Sequence, residues 1–568
     1  MRHASPPTAR TLALALLLAA ASCTVGPGPR ASAEDTVVIA LRDEPETLFA
    51  PLAQSAEALA VIGAMSDGLV VEDENGVLEP RLAERVPTIE NGDAALAKMP
   101  DGRSALNVRF RLRDGARWQD GAPVRPADLR FGWLLFNNRD ARAVQYNAAT
   151  RIQDVRPVDE RTVEIVYKPG ELDPRFALCC NAFLLPEAAL RDVPVTKLAE
   201  SAFARAPVYA GPFLFKERQG NVSITLERSQ YYALGPAKLR TVVFVFRPDA
   251  DALLADLSAH RVDLATAGLY GVDRAGALAT IEPRGVHATY TPSLALEHLD
   301  FNLRDPSDLA KPHPILGDGV VRAALATAID RAKLARNSTA GRSPPAISYL
   351  VPPSWAAAGA GDVTTFAFDA AAAEQVLDSA GWKRGADGLR AREGRRLRLR
   401  LVVAAGNAVR DRAAEQIAGD LGRIGVEVTS ESVSMANLTT ASGALSSGQF
   451  DLALYAWVGD RDPYGWSLLY HRSQVPSATN GFTGQNYSGW SNERFSTLAD
   501  EAAQSLERDA RRQRYLEMQR IWTAALPALP LYQRTAVDVA DARLRELRPS
   551  PTRQPITWNV ARWSFGGV

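Results

Sequence analysis

Apolar and polar positions change period repeatedly along the chain, and each change predicts an element. Thr36-Val37-Val38-Ile39-Ala40-Leu41 is an apolar run of strand length, closed by the polar, proline-bearing stretch 42–48. Residues 61–71 read as a helix entering a strand, and Glu74-Asn75-Gly76 as the turn after it. Strict alternation over 108–113 and again over 161–167 predicts half-exposed strands. Between them, Asp120-Gly121 marks a turn and Arg125-Pro126 the start of a helix. Two further strands are expected at 222–228 and 241–246, and helical spacing at 250–259.

The second half alternates regularly. One helix is expected over 320–335, with Arg322, Asp330 and Arg331 in local ion pairs on its polar face. A helix over 370–380 ends at Gly381, and a strand over 397–403 leads to a helix over 411–422. Strands at 426–428 and 451–457 and helices at 493–505 and 510–522 complete the pattern. Such alternation predicts an α/β protein, a sheet covered by helices. At 568 residues the chain exceeds what one hydrophobic core serves, so several compact units are expected.

The N-terminus has a different pattern. Arg2, His3 and Arg10 precede an unbroken apolar run over 12–21. In a helix that run reaches roughly 15 Å, about half a bilayer's hydrocarbon core, so it is a signal segment and not a span. Ala20-Ala21-Ser22-Cys23 resembles a bacterial lipobox, with Cys23 as the lipid acceptor; Ala20 stands where such boxes usually carry Leu. Ala31-Ser32-Ala33 is a competing cleavage site for plain secretion. A signal peptide over 1–23 and a Pro/Gly/Ala/Ser-rich tether over 24–35 are therefore expected.

Composition removes several functions. Lys+Arg and Asp+Glu both number 65, so no basic excess is available to neutralise phosphates, and nucleic acid is not an expected partner. The six histidines, at 3, 260, 287, 298, 313 and 471, are too scattered to pair with a nucleophile, and no G-x-S-x-G, H-E-x-x-H or phosphate-loop pattern occurs. No enzyme activity, cofactor or metal is expected. Besides Cys23 there are only Cys179 and Cys180. Adjacent Cα atoms lie about 3.8 Å apart, below the usual disulfide range, so the pair is either a vicinal disulfide or two small buried thiols.

Seven segments in order resemble the extracytoplasmic solute-binding proteins of dipeptide and oligopeptide ABC importers, from about residue 36 to about 549. They begin with Gly76-Val77-Leu78-Glu79-Pro80-Arg81-Leu82 and Leu112-Arg113-Asp114-Gly115-Ala116-Arg117-Trp118. Ala210-Gly211-Pro212-Phe213, Val321-Arg322-Ala323-Ala324-Leu325 and Ala380-Gly381-Trp382 follow. Trp457-Val458-Gly459-Asp460-Arg461-Asp462-Pro463 and Pro527-Ala528-Leu529-Pro530-Leu531-Tyr532 are last. The resemblance implies a two-lobed periplasmic-binding-protein fold, class II, hinged like a flytrap. Lobe I is expected over 36–295 plus 536–568, with an extra subdomain over roughly 72–205, and lobe II over 296–535. Trp118 and Trp382 are read as packing residues.

In peptide-binding members of that family the pattern W-x-x-D reaches the ligand, its Asp pairing with the peptide amine; here it is Trp457 and Asp460. An enclosed ammonium needs such a carboxylate, and an indole adds a cation–π face. Tyr209, Phe213, Trp466 and Tyr487 are further candidates to line the cleft. Arg42, Arg461 and Arg472 are unranked candidates for an acidic ligand group, and Asp462 is read as a turn residue. The resemblance implies capture of a short peptide, partnership with an ABC permease and ATPase, and a monomer held to the membrane by its lipid. Nickel chelates, sugars, opines or signalling molecules remain alternative cargo, and ligand sensing without an importer an alternative role.

Overall fold

The computed structural model describes residues 35–566 apart from 145–148, 267, 268, 270 and 553. The signal segment, Cys23 and the tether lie outside the described residues.

A ten-stranded mixed sheet runs through the molecule. From one edge its order is Glu427–Val433, Arg398–Ala404, Leu452–Val458, Val286–Phe301 and Ala528–Asp541, then Leu264–Ala265, Thr36–Leu41, Thr241–Phe246, Ser223–Arg228 and Phe213–Gln219. The helix Ala408–Arg423 links Arg398–Ala404 to the parallel strand Glu427–Val433, a right-length crossover for a βαβ unit. The central pair, Val286–Phe301 and Ala528–Asp541, is antiparallel and unusually long. Each of these strands passes from one hydrophobic core into another. Val286 and Ala288, with Val537 and Val539, belong to one; Leu299 and Phe301, with Leu529 and Leu531, belong to the next.

The pairing is interrupted midway. Pro292 faces Thr535, but Leu296 faces Gln533, leaving a bulge over residues 293–295. Proline supplies no ladder N–H, which suits it to this break. The Gln533 amide fills the gap by donating to the Ser293 carbonyl at 2.9 Å, while Ser293 Oγ donates to the Arg534 carbonyl at 3.0 Å.

The largest core gathers Val37, Phe213 and Phe244 of the sheet with Leu106, Phe110 and Ile165 of a separate four-stranded antiparallel sheet. That smaller sheet is ordered Ala94–Lys98, Ser104–Arg111, Thr162–Tyr167, Ile152–Pro157. Trp118 and Trp382 are both buried, in different cores.

Residues 320–335 do not form one helix. Two helices stand there, Gly319–Ala328 and Arg331–Thr339. Ile329 is extended, and the Asp330 carboxylate accepts from the Lys333 N–H to start the second helix, a capping bond that competes with continuation. The expected ion pairs are replaced as well. Arg322 donates to the carbonyls of Leu316, Ala525 and Leu526, satisfying the end of the helix Arg508–Ala525, and Arg331 donates to those of Ala346, Pro530 and Phe366.

Candidate functional site

The strand Leu452–Val458 delivers its last residues to a loop, 459–463, that sits between the two halves of the chain. The loop is pinned by main-chain and aromatic contacts. The Gly459 N–H donates to the carbonyl of Leu294, inside the central bulge, at 2.9 Å. Trp466, almost wholly buried, donates its indole N–H to the Asp460 carbonyl at 3.2 Å. A side chain at 459 has no room: a Cβ there would lie 1.8 Å from the Trp466 indole nitrogen.

Three consecutive charged residues follow, each with its own partner. Asp460 pairs with Arg175 at 2.5 Å, both side chains more than a third exposed. Arg461 is buried, its Nε 2.8 Å from Glu72 and a terminal nitrogen donating to the carbonyl of Glu74. The turn that presents that carbonyl depends on Gly76, whose φ of +90° and 3.0 Å approach to Arg461 exclude a side chain. Asp462 takes two bonds from Arg511, at 2.5 and 2.8 Å, and also accepts from the Tyr464 N–H at 2.9 Å, so its turn role and its ion pair coexist.

Two cavities meet at this loop. The first, about 460 Å³, is mostly apolar and includes Ile62, Val70, Leu185 and Trp558, with the carboxylates of Asp67, Glu72 and Asp460 on its wall. The second, about 390 Å³, contains four guanidiniums, Arg175, Arg461, Arg508 and Arg511, beside Glu72, Asp460 and Asp462. Glu72 and Asp460 therefore stand on the shared boundary. Burial raises the Glu72 carboxyl above its ordinary value; Arg461 opposes the shift and Asp460 adds to it. Burial also raises Asp67, which accepts from the Tyr232 hydroxyl at 2.7 Å.

The other sequence-derived candidates fall in different places. Trp457 is half-buried and lines neither cavity; its ring runs parallel to Tyr487 at 5.8 Å and 12°, and to His298 at 6.3 Å and 15°. Tyr487 is buried in that stack, its hydroxyl pushed up to about 12 by burial and then by Asp300. Phe213 is fully buried in the largest core. Tyr209 does reach the first cavity, but its hydroxyl is used: it accepts from the Ala50 N–H at 2.8 Å and donates to the Leu48 carbonyl at 2.9 Å. Cys179 and Cys180 are joined to each other, and Cys179 lines the first cavity. Of the three unranked arginines only Arg461 enters the site; Arg472 faces Glu493 at 3.6 Å, and Arg42 is exposed and lines neither cavity. Arg175, Glu72, Arg508 and Arg511 went unnoticed in the sequence. Arg175 follows Asp173-Pro174 in an irregular stretch, and nothing local marks it.

A second carboxylate–guanidinium cluster lies on the central strands. Glu297, fully buried, pairs with Arg410 at 2.5 Å and Arg534 at 2.6 Å. Burial works to raise its carboxyl, but Arg534 and Arg410 outweigh it and hold it below the ordinary value.

An α/β frame with charged residues lining two cavities that meet at one loop defines a ligand-binding protein. The family described as bacterial extracellular solute-binding proteins, family 5, middle region, matches residues 78–477, and the chain belongs to it. It is 27% identical over 385 residues to the oligopeptide-binding protein AppA of Bacillus subtilis, covering 67% of each chain. The solved structure of that AppA, in complex with a nonapeptide, superposes with a TM-score of 0.70 at 22% identity, covering 94% of this chain and 99% of the other. NikZ from Campylobacter jejuni, in complex with Ni(L-His), superposes with a TM-score of 0.72 at 21% identity and covers 94% and 99%. Among the described residues no helix is long and apolar enough to cross a membrane.

Proposed function

We propose that this solute-binding protein captures a short peptide by its free amine, between lobes I and II, and delivers it to an ABC permease. The observation that carries the reading is Asp460: a half-exposed carboxylate, on a loop pinned by Trp466, at the meeting of two cavities, the second of which is walled by residues of both lobes. An ammonium arriving there exchanges water for a charge-assisted bond. The name of AppA and its nonapeptide complex support peptide cargo.

Lobe I spans 36–295 plus 536–568, with its subdomain near 72–205, and lobe II spans 296–535. Closure turns about the bulge in the two long strands, where pairing is already broken. Cargo touching both lobes favours the closed form, which the permease engages. The chain performs no chemistry on its cargo, works as a monomer, and is exported by residues 1–23 and held to the membrane through Cys23.

A metal chelate is the second reading, supported by the NikZ complex with Ni(L-His). Native mass spectrometry of protein purified without denaturation separates the two. Peptide masses released from the protein are expected; a metal with a small chelator, and no peptide, would refute the peptide reading.

A further inference from the structure

Peptide capture leaves one feature of the first cavity without a role, the disulfide between Cys179 and Cys180. A disulfide stabilises mainly through the length of chain it constrains, and this one joins residues one apart in sequence. It therefore adds little as a staple for the fold. Its position gives it leverage on the site instead. Cys179 closes one single-turn 3-10 helix, Phe176–Leu178, and Cys180 opens the next, Asn181–Phe183. Both turns are weakly bonded: the Cys179 N–H meets the Phe176 carbonyl at 3.4 Å, and the Leu184 N–H meets that of Asn181 at 3.4 Å. The disulfide fixes the joint between them.

Each side of that joint supports one of the two carboxylates on the boundary of the cavities. On one side, Arg175 pairs with Asp460. On the other, the Asn181 side chain accepts from the Leu69 N–H at 2.8 Å and donates to the Val70 carbonyl at 2.7 Å, holding the start of the strand Val70–Glu72 that carries Glu72. The two sulfurs differ in access. Cys180 is 1% exposed in the largest core, whereas Cys179 is half-buried on the cavity wall. We infer that the Cys179–Cys180 disulfide is a thiol-exchange site opening on the first cavity, where a small dithiol reductant loosens the wall and lowers cargo affinity. One thiolate of the dithiol attacks Cys179 Sγ; the S–S bond breaks, and its electron pair leaves on Cys180 Sγ, which takes a proton. The second thiolate then attacks the dithiol's own sulfur in the mixed disulfide, and Cys179 Sγ leaves and takes a proton. The cysteine pair is thereby reduced and the dithiol oxidised to its cyclic disulfide. Peptide in the cavity covers the sulfur under attack, so capture and reduction oppose each other by the same factor.

Native protein is equilibrated in dithiothreitol buffers of graded redox ratio, with and without saturating tri-alanine, and thiols at 179 and 180 are counted by alkylation and peptide mass mapping. Oxidised, reduced and reoxidised protein, and the double variant Cys179→Ser, Cys180→Ser, are titrated with tri-alanine, and amide hydrogen exchange is followed over 69–72 and 175–185. Reduction is expected without denaturant, with affinity lowered about five-fold or more in the reduced protein and the double variant. Reoxidation should restore the wild-type affinity, which keeps the test valid if the double variant fails to fold. Tri-alanine should raise the reductant ratio needed for half-reduction by the same factor, and exchange over both stretches should be faster after reduction. A disulfide that yields to dithiothreitol only in denaturing urea, or a reduced protein that binds tri-alanine as tightly as the oxidised one, overturns the inference. The affinity readout rests on the peptide reading, but hydrogen exchange does not. If tri-alanine binds neither form while exchange accelerates on reduction, the peptide reading fails and the redox-sensitive wall stands; unchanged exchange refutes that wall as well.

Discussion

Asp460 and Glu297 are both carboxylates set against arginine, and they differ in what surrounds the pair. Glu297 is wholly buried between guanidiniums from a helix and from the opposite long strand, so neither water nor ligand reaches it. Asp460 and Arg175 each keep over a third of their side-chain surface in solvent on the wall of the second cavity, and Asp460 lines the first as well. A buried ion pair is costly to break because the orphaned charge stays in low dielectric. An exposed one is exchanged for another partner at little cost. The same chemistry thus holds the frame at the centre and remains available at its edge.

The largest expected effect tests that contrast on stability. Glu297→Ala leaves Arg410 and Arg534 facing each other and should cost about 3–5 kcal/mol in urea unfolding. Asp460→Asn should stay within about 1 kcal/mol of wild type in the same assay. Equal losses would erase the distinction. Acid titration extends it. The Glu297 carboxyl is lowered from 4.5, so its stabilising contribution is complete above about pH 4.5 and is lost as pH falls through its lower folded value. Wild-type stability should drop in that acid range, and Glu297→Ala should show a shallower slope there.

Smaller effects are expected at the loop. Gly459→Ala drives a methyl into the Trp466 indole and should cost about 1–3 kcal/mol, with weaker peptide binding, because Trp466 also fixes the Asp460 carbonyl. The mildest change is Trp457→Ala. Its ring is committed to the stack with Tyr487 and lines neither cavity, so tripeptide affinity should fall by less than the about two- to five-fold of an exposed cation–π contact. A loss as large as that from Asp460→Asn would return the indole to direct contact.

Local pattern revealed most short elements, because periodicity records which face is buried: the run Thr36–Leu41 and the strand Thr241–Phe246 stand where alternation and apolarity put them. It did not reveal the two long strands. Their residues pass from one core to another, so Glu297, His298 and Asp300 are buried among apolar neighbours and the alternation is lost. The break at Asp330 was also hidden, since an aspartate on a polar helix face and one capping a new helix look alike in sequence. At the site, Asp460 is legible through its motif and Arg461 only as one arginine among several. Arg175 is invisible, because it lies 285 residues away and meets Asp460 only through the fold.

Asp460 as the acceptor of a free amine is tested most directly by one titration. Tri-alanine and N-acetyl-tri-alanine are titrated into wild-type protein and into Asp460→Asn. Acetylation should weaken binding to wild type by about ten-fold or more, and Asp460→Asn should abolish most of that penalty by weakening the free-amine peptide alone. Equal binding of the two peptides to wild type, or an unchanged penalty in Asp460→Asn, would contradict it.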